Sequence, residues 1–302
     1  MTRATAELPP RRYVATLLAM KYRHTFHAGN FADVHKHVTL LALLNALKRK
    51  DKGFAYLETH GGRGAYELSQ QSAEAVEGRG RFDQGDYQAD ELRDFAALTA
   101  DFRSHRTQTR AYPGSPVIAA LQLRPQDRGV ACEIVPAEER ILEREIQLNP
   151  RMRVERADGF ERLRAWLPPP ERRGLIFIDP PYEESRQDFD RVTAAIVDAL
   201  QRFSTGVYAA WYPIKDEREV HAWLDGFARS VTNENKTLET IAGELWLYPR
   251  DSKVALNGSG MLIVNPPYQL AERMEVWLPE LRAQLDVGHP GGTRITKLTR
   301  PA

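Results

Sequence analysis

The sequence predicts an α/β fold in which one doubly wound sheet carries helices on both faces. Apolar segments of strand length alternate along the chain with segments whose apolar residues recur at helical spacing. The clearest strand is Gly174–Ile178, and its almost wholly apolar character is typical of a strand buried on both faces of a parallel sheet. Because two prolines follow in Asp179-Pro-Pro-Tyr182, the chain leaves the sheet there with a stiff backbone. A chain of 302 residues is long enough for one such domain with an insertion.

Seven strands and the helices between them are predicted in order. The predicted strands are Phe54–Thr59, Gly129–Ile134, Arg153–Arg156, Gly174–Ile178, Gly206–Trp211, Thr237–Tyr248 and Met261–Val264. The first helix is expected to begin at an N-cap, either Asn30 or Asp33, and to end near Lys50. Later helices are expected over Pro136–Leu148, Phe189–Phe203 and Leu270–Leu285, among others.

The domain organisation follows from composition along the chain. Residues 1–19 show no clear periodicity and are expected to form a loose extension, with Met20 an equally suitable start. Residues 20–64 and 111–302 are expected to form the main domain. Residues 65–110 are polar with helical patterning, which predicts an inserted helical subdomain. The tail after the last helix is expected to be loose.

Composition excludes several classes of protein. The single cysteine, Cys132, excludes a disulfide framework and a multi-cysteine zinc site. No apolar run approaches the roughly 20 residues that span a bilayer, so we expect a cytoplasmic protein without membrane contact. The net charge is +1, yet residues 1–50 hold nine Lys/Arg against two acidic residues. This segment suits a polyanion such as RNA, and a solvated basic arm without a partner is the open alternative.

The segment after the central strand carries groups that suit a planar heterocycle with an amino group. Ligands of open α/β sheets bind beyond the carboxyl ends of the strands. There Tyr182 can stack on a ring, while Asp179 and the carbonyl of Pro180 can accept the two N–H bonds of an amine. Both acceptors would bind more tightly as the nitrogen gains positive charge during attack on a methyl group. Asp-Pro-Pro-Tyr resembles the catalytic motif of methyltransferases that modify adenine N6 or cytosine N4.

Other candidates for a nucleoside site follow the remaining strands. The glycine-rich turn after the first strand, residues 60–64, permits a close approach of the backbone to a ligand. Ser115 begins a helix whose N–H groups could hold a carboxylate. Glu133, near the end of the second strand, lies where an acidic residue binds ribose hydroxyls in nucleoside-binding folds. Asp158, after the third strand, would suit an adenine amino group, although Asp-Gly is often only a turn.

The motifs together closely resemble one family. They are Tyr22–Asn30, Ala32–Val34, Lys36-His37, Thr59-His60, Tyr112–Pro116, Ala157–Phe160, Arg172–Leu175, Ile178–Tyr182, Trp211–Pro213 and Asn265–Pro267. In this order they resemble the RlmJ family of bacterial 23S ribosomal RNA adenine-N6 methyltransferases. The resemblance implies a Rossmann-like class I S-adenosylmethionine-dependent methyltransferase with a seven-stranded mixed sheet. It also implies a monomer that needs no protein partner and no metal, and that methylates one adenine in a 23S RNA hairpin.

The resemblance also implies roles for individual residues. The expected S-adenosylmethionine contacts are His37, His60, Ser115, Glu133, Asp158, Gly159 and Asp179. Asp179 is the expected catalytic residue, and the expected substrate contacts are Tyr22, Lys36, Pro180 and Tyr182. Two departures stand out: residues 1–19 have no counterpart, and Arg63 occupies a position in the glycine loop where the family usually has alanine.

Two rival functions remain open at this point. Asn265-Pro-Pro-Tyr268 resembles the catalytic motif of methyltransferases that modify glutamine side chains of proteins. We expect Asn265 to be structural instead, because the last strand of this fold runs antiparallel and ends away from the cofactor crevice. A non-catalytic RNA-binding protein is the second alternative, and it would have no need of Asp179.

Overall fold

A computed structural model describes residues 28–68, 75–108, 110–147, 149–183, 185–234, 238–250, 252 and 254–299. The helices are α1 (Phe31–Lys48), a π-helix (Val76–Gly80), α2 (Asp90–Ser104), α3 (Ser115–Gln122), α4 (Pro136–Ile146), α5 (Gly159–Trp166), α6 (Ser185–Arg202), α7 (Glu217–Glu234) and α8 (Leu270–Gln284). The strands are β1 (Ala55–Glu58), β2 (Ala65–Glu67), β3 (Ala111–Pro113), β4 (Arg128–Cys132), β5 (Met152–Glu155), β6 (Gly174–Ile178), β7 (Val207–Ile214), β8 (Thr240–Trp246), β9 (Gly258–Val264) and β10 (Gly292–Thr299).

Five parallel strands form the centre of one large sheet. Its strand order is β10-β8-β9-β7-β6-β1-β4-β5, and the segment from β7 to β5 is parallel throughout. Every residue of β1 and β6 is buried, as their apolar sequences predict for strands covered on both faces. The carboxyl ends of these strands therefore meet at one edge of the sheet, which we call the carboxyl edge, and their amino ends meet at the opposite amino edge.

The remaining strands make the sheet mixed. β9 lies antiparallel between β7 and β8, and β10 pairs antiparallel with β8 at the border of the sheet. This arrangement confirms the Rossmann-like class I methyltransferase fold. The expected number of seven strands is wrong by one, because β10 lies in the tail that was expected to be loose. Nearly all its residues are only half-buried, so polar residues occur on both faces and the sequence lacks a clear alternation.

Helix α1 is buried along most of its length. Asn30 is its N-cap and accepts a hydrogen bond from the backbone N–H of Asp33 at 2.9 Å. Most of the helix is buried, including the charged side chain of Lys36. The helix packs against β9 on one side and against α2 and α3 on others. A charged side chain on such a helix needs a partner within the core, and this applies to Lys36.

The segment between β1 and α3 contains both helix and strand. β2 and β3 pair antiparallel as a separate two-stranded sheet at the two ends of this segment, and β2 lies within residues 65–110, where the sequence suggested helical character. Each strand has three residues, too few to show a periodic pattern. Between them, the π-helix and α2 pack against α1. In the described residues no helix has both the length and the apolar character needed to cross a membrane.

Asn265 lies at the amino edge of the sheet. It follows β9, which is antiparallel to β7, so that Val264 pairs with Tyr208 near the amino end of β7. The Asn265 side-chain amide donates hydrogen bonds to the carbonyls of Ser204 and Gly206, both at 2.8 Å, and its φ is 53°. Asn is one of the few residues that tolerate this left-handed conformation. Asn265 therefore holds the turn that leads into β7.

We expect Asn265→Ala to lower the free energy of unfolding by about 1–2 kcal/mol, because the hydrogen bonds to the carbonyls of Ser204 and Gly206 are lost. Asn265→Gly loses the same hydrogen bonds but adopts the positive φ without strain, so it should be the less destabilised variant. Urea unfolding followed by circular dichroism measures both. Unfolding curves of both variants that coincide with the wild type would contradict this role.

Candidate active site

A buried ion-pair cluster lies where α1 meets the carboxyl edge. The Nζ of Lys36 is 2.6 Å from Oδ2 of Asp179 and 2.8 Å from Oδ1 of Asp33. The Lys36 side chain is 4% exposed and the Asp179 side chain 14%, so the pair lies mostly out of water with one carboxylate reaching the surface. Asp179 immediately follows β6, as the sequence predicted. Lys36 therefore connects α1 to the segment that carries the candidate catalytic carboxylate.

Electrostatics keep this lysine charged. Burial lowers the pKa of Lys36, but the carboxylates of Asp179 and Asp33 outweigh burial and hold its pKa well above the usual value. A charged lysine therefore lies 2.6 Å from the Asp179 carboxylate. Lys36 donates to Oδ2 of Asp179, and within the described part of the chain no hydrogen bond to Oδ1 is formed, which leaves Oδ1 as a candidate acceptor.

The aromatic surface of the site is Trp211 rather than Tyr182. Tyr182 is 1% exposed, its hydroxyl donates to the carbonyl of Trp211 at 2.6 Å, and its ring packs against Phe189. No face of Tyr182 is open to a base, which differs from the stacking role that the sequence suggested. Trp211 is half-buried, and its ring lies 5.4 Å below the Nζ of Lys36. The φ of Tyr182 is 49°, a turn that directs this side chain inward after the two prolines and leaves Pro180 buried beside Asp179.

A second buried carboxylate lies at the end of β1. Glu58 is fully buried and accepts hydrogen bonds from Ser115 Oγ at 2.5 Å and from the Tyr56 hydroxyl at 2.9 Å. Burial raises the pKa of Glu58 to about 8; the hydrogen bonds from Ser115 and Tyr56 oppose this, and Asp179 adds to it. Ser115, a predicted cofactor contact, thus lies beside Glu58 at the start of α3. Glu58 was not predicted as a site residue, although an acidic residue that ends an apolar strand before a glycine-rich turn can indicate a ligand site.

The glycine-rich turn is fixed by two carboxylates. The backbone N–H of Gly62 donates to Glu133 at 2.9 Å, and that of Val135 donates to the other oxygen of Glu133 at 2.7 Å. Burial raises the pKa of Glu133. Arg63 forms a two-pronged ion pair with Glu138 on α4, at 2.7 and 2.8 Å. This contact accounts for Arg63, which links the turn to the helix after β4.

The turn after β5 lies against the end of β1. Oδ1 of Asp158 caps α5 by accepting from the backbone N–H of Phe160 at 2.9 Å. A Cβ on Gly159 would lie 2.0 Å from the carbonyl oxygen of Thr59, so only glycine allows the two turns to approach this closely. His60 lies in the same place, with its ring 4.9 Å from that of Phe160. Burial lowers the pKa of His60 to about 4, although nearby Asp158 and Asp179 favour its charged form.

The structure therefore brings most of the predicted site residues to one edge. Asp179, Pro180, Glu133, Asp158 and Gly159 all lie in or near turns that follow parallel strands. His37 lies one residue after Lys36 on α1, where its Nδ1 is 2.8 Å from the hydroxyl of Tyr112. Tyr22 is outside the described residues. Asp33 and Trp211 were not predicted as site residues, although both lie in motifs that resemble the family, Ala32–Val34 and Trp211–Pro213.

Comparisons with known proteins point to one family. The family model described as "Ribosomal RNA large subunit methyltransferase D, RlmJ" matches residues 51–299. The chain is 41% identical over 278 residues to ribosomal RNA large subunit methyltransferase J of Escherichia coli, covering 91% of this chain and 96% of that protein. It is 40% identical over 271 residues to the protein of the same name from Haemophilus influenzae, covering 88% and 94%. A crystal structure of a Legionella pneumophila protein, 36% identical, superposes with a TM-score of 0.79 over 90% of this chain and 98% of that one.

We expect Lys36→Met to lower the free energy of unfolding by about 3–5 kcal/mol, because the substitution leaves two carboxylates close together without their buried counter-charge. Lys48→Met, at the half-buried end of the same helix, is the matched control and should cost at most about 1 kcal/mol. Urea unfolding at neutral pH measures both values. Equal losses in the two variants would show that the ion pair adds nothing to stability.

Glu58 should make stability depend on pH. The folded state keeps a proton on Glu58 up to about pH 8, whereas the unfolded chain releases it near its ordinary pKa of 4.5. The free energy of unfolding should therefore decrease as pH rises from about 4.5 to about 8. Glu58→Gln should remove this contribution, so that its stability relative to wild type rises with pH over this range. Exposed Glu219→Gln serves as control, and parallel pH profiles for wild type and Glu58→Gln would contradict the expectation.

Proposed function

This chain belongs to the RlmJ family of ribosomal RNA large subunit methyltransferases, and we propose that it methylates the N6 amino group of one adenine in 23S ribosomal RNA. S-adenosylmethionine, when bound, supplies the methyl group. Methylation of ribosomal RNA is supported by the names of the relatives and by their coverage of nearly the whole chain. The choice of an adenine N6 amino group as the methyl acceptor rests on the ion pair between Lys36 and Asp179 and on the groups around it.

The chemistry of the Asp179 carboxylate supports an amino group as the methyl acceptor. Oδ1 of Asp179 and the carbonyl of Pro180 are both acceptors, and together they match the two N–H bonds of an exocyclic amine. As the nitrogen forms its new bond to carbon it becomes positively charged, so the negative charge of the Asp179 carboxylate stabilises that state more than the neutral amine. The methyl carbon would part from the sulfonium sulfur as its bond to nitrogen forms, leaving a neutral thioether, and the nitrogen would then release one of its two protons to water at the carboxyl edge and become neutral again.

Lys36 serves this chemistry by positioning Asp179. Its ammonium group contacts Oδ2 at 2.6 Å and thereby restricts the rotation of the carboxylate. A lysine so buried and so tightly paired is a poor general base, because its proton is held by two carboxylates. The half-buried ring of Trp211 next to it offers the apolar surface on which a flat base can rest. The adenine must leave any stacked or paired arrangement to reach this place.

The remaining predicted residues fit a nucleoside cofactor. Glu133 would accept the ribose hydroxyls, and Asp158, beside the close contact between Gly159 and Thr59, would accept from the adenine amino group of the cofactor. Ser115 would hold the methionine end of the cofactor near Glu58, with His37 and His60 at either side of the same edge. Tyr22 and the basic residues near it stay proposed RNA contacts. A hairpin substrate, a monomeric enzyme and a cytoplasmic location belong to the same proposal.

The two rival functions fit less well. A glutamine methyltransferase centred on Asn265 would need that amide at the carboxyl edge, but it lies at the amino edge and binds two backbone carbonyls. An RNA-binding protein without catalysis would have no use for the Asp179 carboxylate at the carboxyl edge, whose contact with Lys36 requires a charged lysine to be buried.

We expect Asp179→Asn to lower the rate of methyl transfer to protein-free 23S ribosomal RNA at least about 100-fold, because the amide carries no charge to stabilise the nitrogen. The RNA comes from cells that lack this gene, and mass spectrometry of its nucleosides measures N6-methyladenosine. The affinity for RNA should stay near that of the wild type. Asp198→Asn, at a half-exposed ion pair on α6, is the matched control.

Three results would count against the proposal. Asp179→Asn with wild-type activity would remove Asp179 from catalysis. Methylation found on cytosine or on another atom of adenine would move the reaction to a different acceptor. No methylation by the wild type, with RNA binding intact, would favour the non-catalytic reading.

A further inference from the structure

Eight cations gather at the amino edge of the sheet, on the side away from the candidate active site. They lie in three segments: residues 48–53 before β1, residues 124–128 up to the first residue of β4, and residues 171–173 before β6. The cations are Lys48, Arg49, Lys50, Lys52, Arg124, Arg128, Arg172 and Arg173, and the segments contain three acidic residues, Asp51, Asp127 and Glu171. The net charge of this basic patch is +5, against +1 for the whole chain.

The fold itself brings these segments together. β1 pairs in parallel with both β4 and β6, so Ala55 lies opposite Arg128 on one side and opposite Gly174 on the other. Arg124 donates hydrogen bonds to the carbonyls of Lys48 and Lys50, both at 3.1 Å. Arg173 donates to the carbonyl of Leu47 at 2.9 Å and also to that of Lys52. Backbone carbonyls thus fix the guanidinium groups without cancelling their charge.

Much of the charge in the basic patch is not neutralised. Arg124 pairs with Asp127, and Arg128 pairs with Glu171. Within the part of the chain that the structure describes, no ion pair is formed by Arg49, Lys50, Lys52, Arg172 or Arg173. Of these, all but Arg173 are exposed. Burial of its own side chain and the nearby Arg124 guanidinium lower the pKa of Lys48. The pKa of Arg173 is likewise lowered by burial of its own side chain and by Arg124.

A cluster of like charges in one small area costs stability unless something compensates for it. Proteins keep such unfavourable arrangements mainly at functional surfaces. A polyanion is the partner that gains from them, because each phosphate contact releases bound counterions. Flexible, exposed lysine and arginine side chains on turns suit contacts to a phosphate backbone without reading its sequence.

We propose that the basic patch binds the phosphate backbone of a second segment of the ribosomal RNA, distinct from the segment that presents the target base. This inference rests on the proposed function, since it takes ribosomal RNA as the substrate. A strand of five residues such as β6 separates the amino edge from Asp179 by roughly 16 Å. The nucleotide in the active site therefore cannot reach the basic patch, and a separate helix or strand of a large RNA must do so.

The test compares a short and a long RNA. The short RNA is a hairpin that carries the methylated adenine, and the long RNA is protein-free 23S ribosomal RNA from cells that lack this gene. The variant Arg49→Gln/Lys50→Gln/Lys52→Gln removes three exposed charges from the basic patch. The control variant Arg140→Gln/Arg218→Gln/Arg229→Gln removes three exposed charges elsewhere. Thermal unfolding establishes that both variants are folded.

The patch variant should bind the long RNA at least about 10-fold more weakly than the control variant does. The slope of log K against log salt is negative, and its magnitude should decrease by about 2 to 3 in the patch variant. Methylation of the short hairpin should keep the wild-type rate. Equal affinity of both variants for the long RNA, with equal salt slopes, would overturn the inference. So would an equal loss on the short hairpin, because the patch would then contact the target segment itself. Failure of the wild type to methylate the hairpin would instead count against the proposed function.

Discussion

The buried contact between Lys36 and Asp179 is the interaction on which the candidate active site depends. It joins the most buried stretch of α1 to the turn after β6 at a distance of 2.6 Å. Two carboxylates surround one ammonium group, so the cluster carries a net negative charge that a growing positive charge on a nearby nitrogen would balance. The fold supplies the positions of both partners: a helix buried on several sides and a strand buried on both faces.

The other features of the carboxyl edge follow from the same sheet. Parallel strands end together, so the turns after β1, β4, β5 and β6 form one continuous surface. Close contact between two of these turns requires Gly159, and the glycine-rich turn is held by Glu133 and by the ion pair of Arg63. The antiparallel β9 places the second Pro-Pro motif at the amino edge instead. Strand direction thus separates two motifs that look alike in sequence.

The sequence allowed the fold class and the strand ends to be predicted, because buried parallel strands leave long apolar runs that end in turn residues. It did not reveal that Lys36 contacts Asp179, since the two residues lie 143 positions apart and each is ordinary in its local context. Tyr182 was expected to stack on a base, but a backbone turn with a φ of 49° directs its side chain inward. β10 was missed because a half-buried border strand keeps polar residues on both faces. The site roles of single residues remain proposals.

The central claim is that Asp179, held by Lys36, accepts an adenine amino group for methylation. Mass spectrometry of 23S ribosomal RNA nucleosides from cells that lack this gene, complemented with wild-type or Asp179→Ala protein, tests it most directly. We expect one N6-methyladenosine of 23S ribosomal RNA to be absent from cells that lack the gene and to be restored only by the wild-type protein. An unchanged N6-methyladenosine content after loss of the gene, or full restoration by Asp179→Ala, would contradict it.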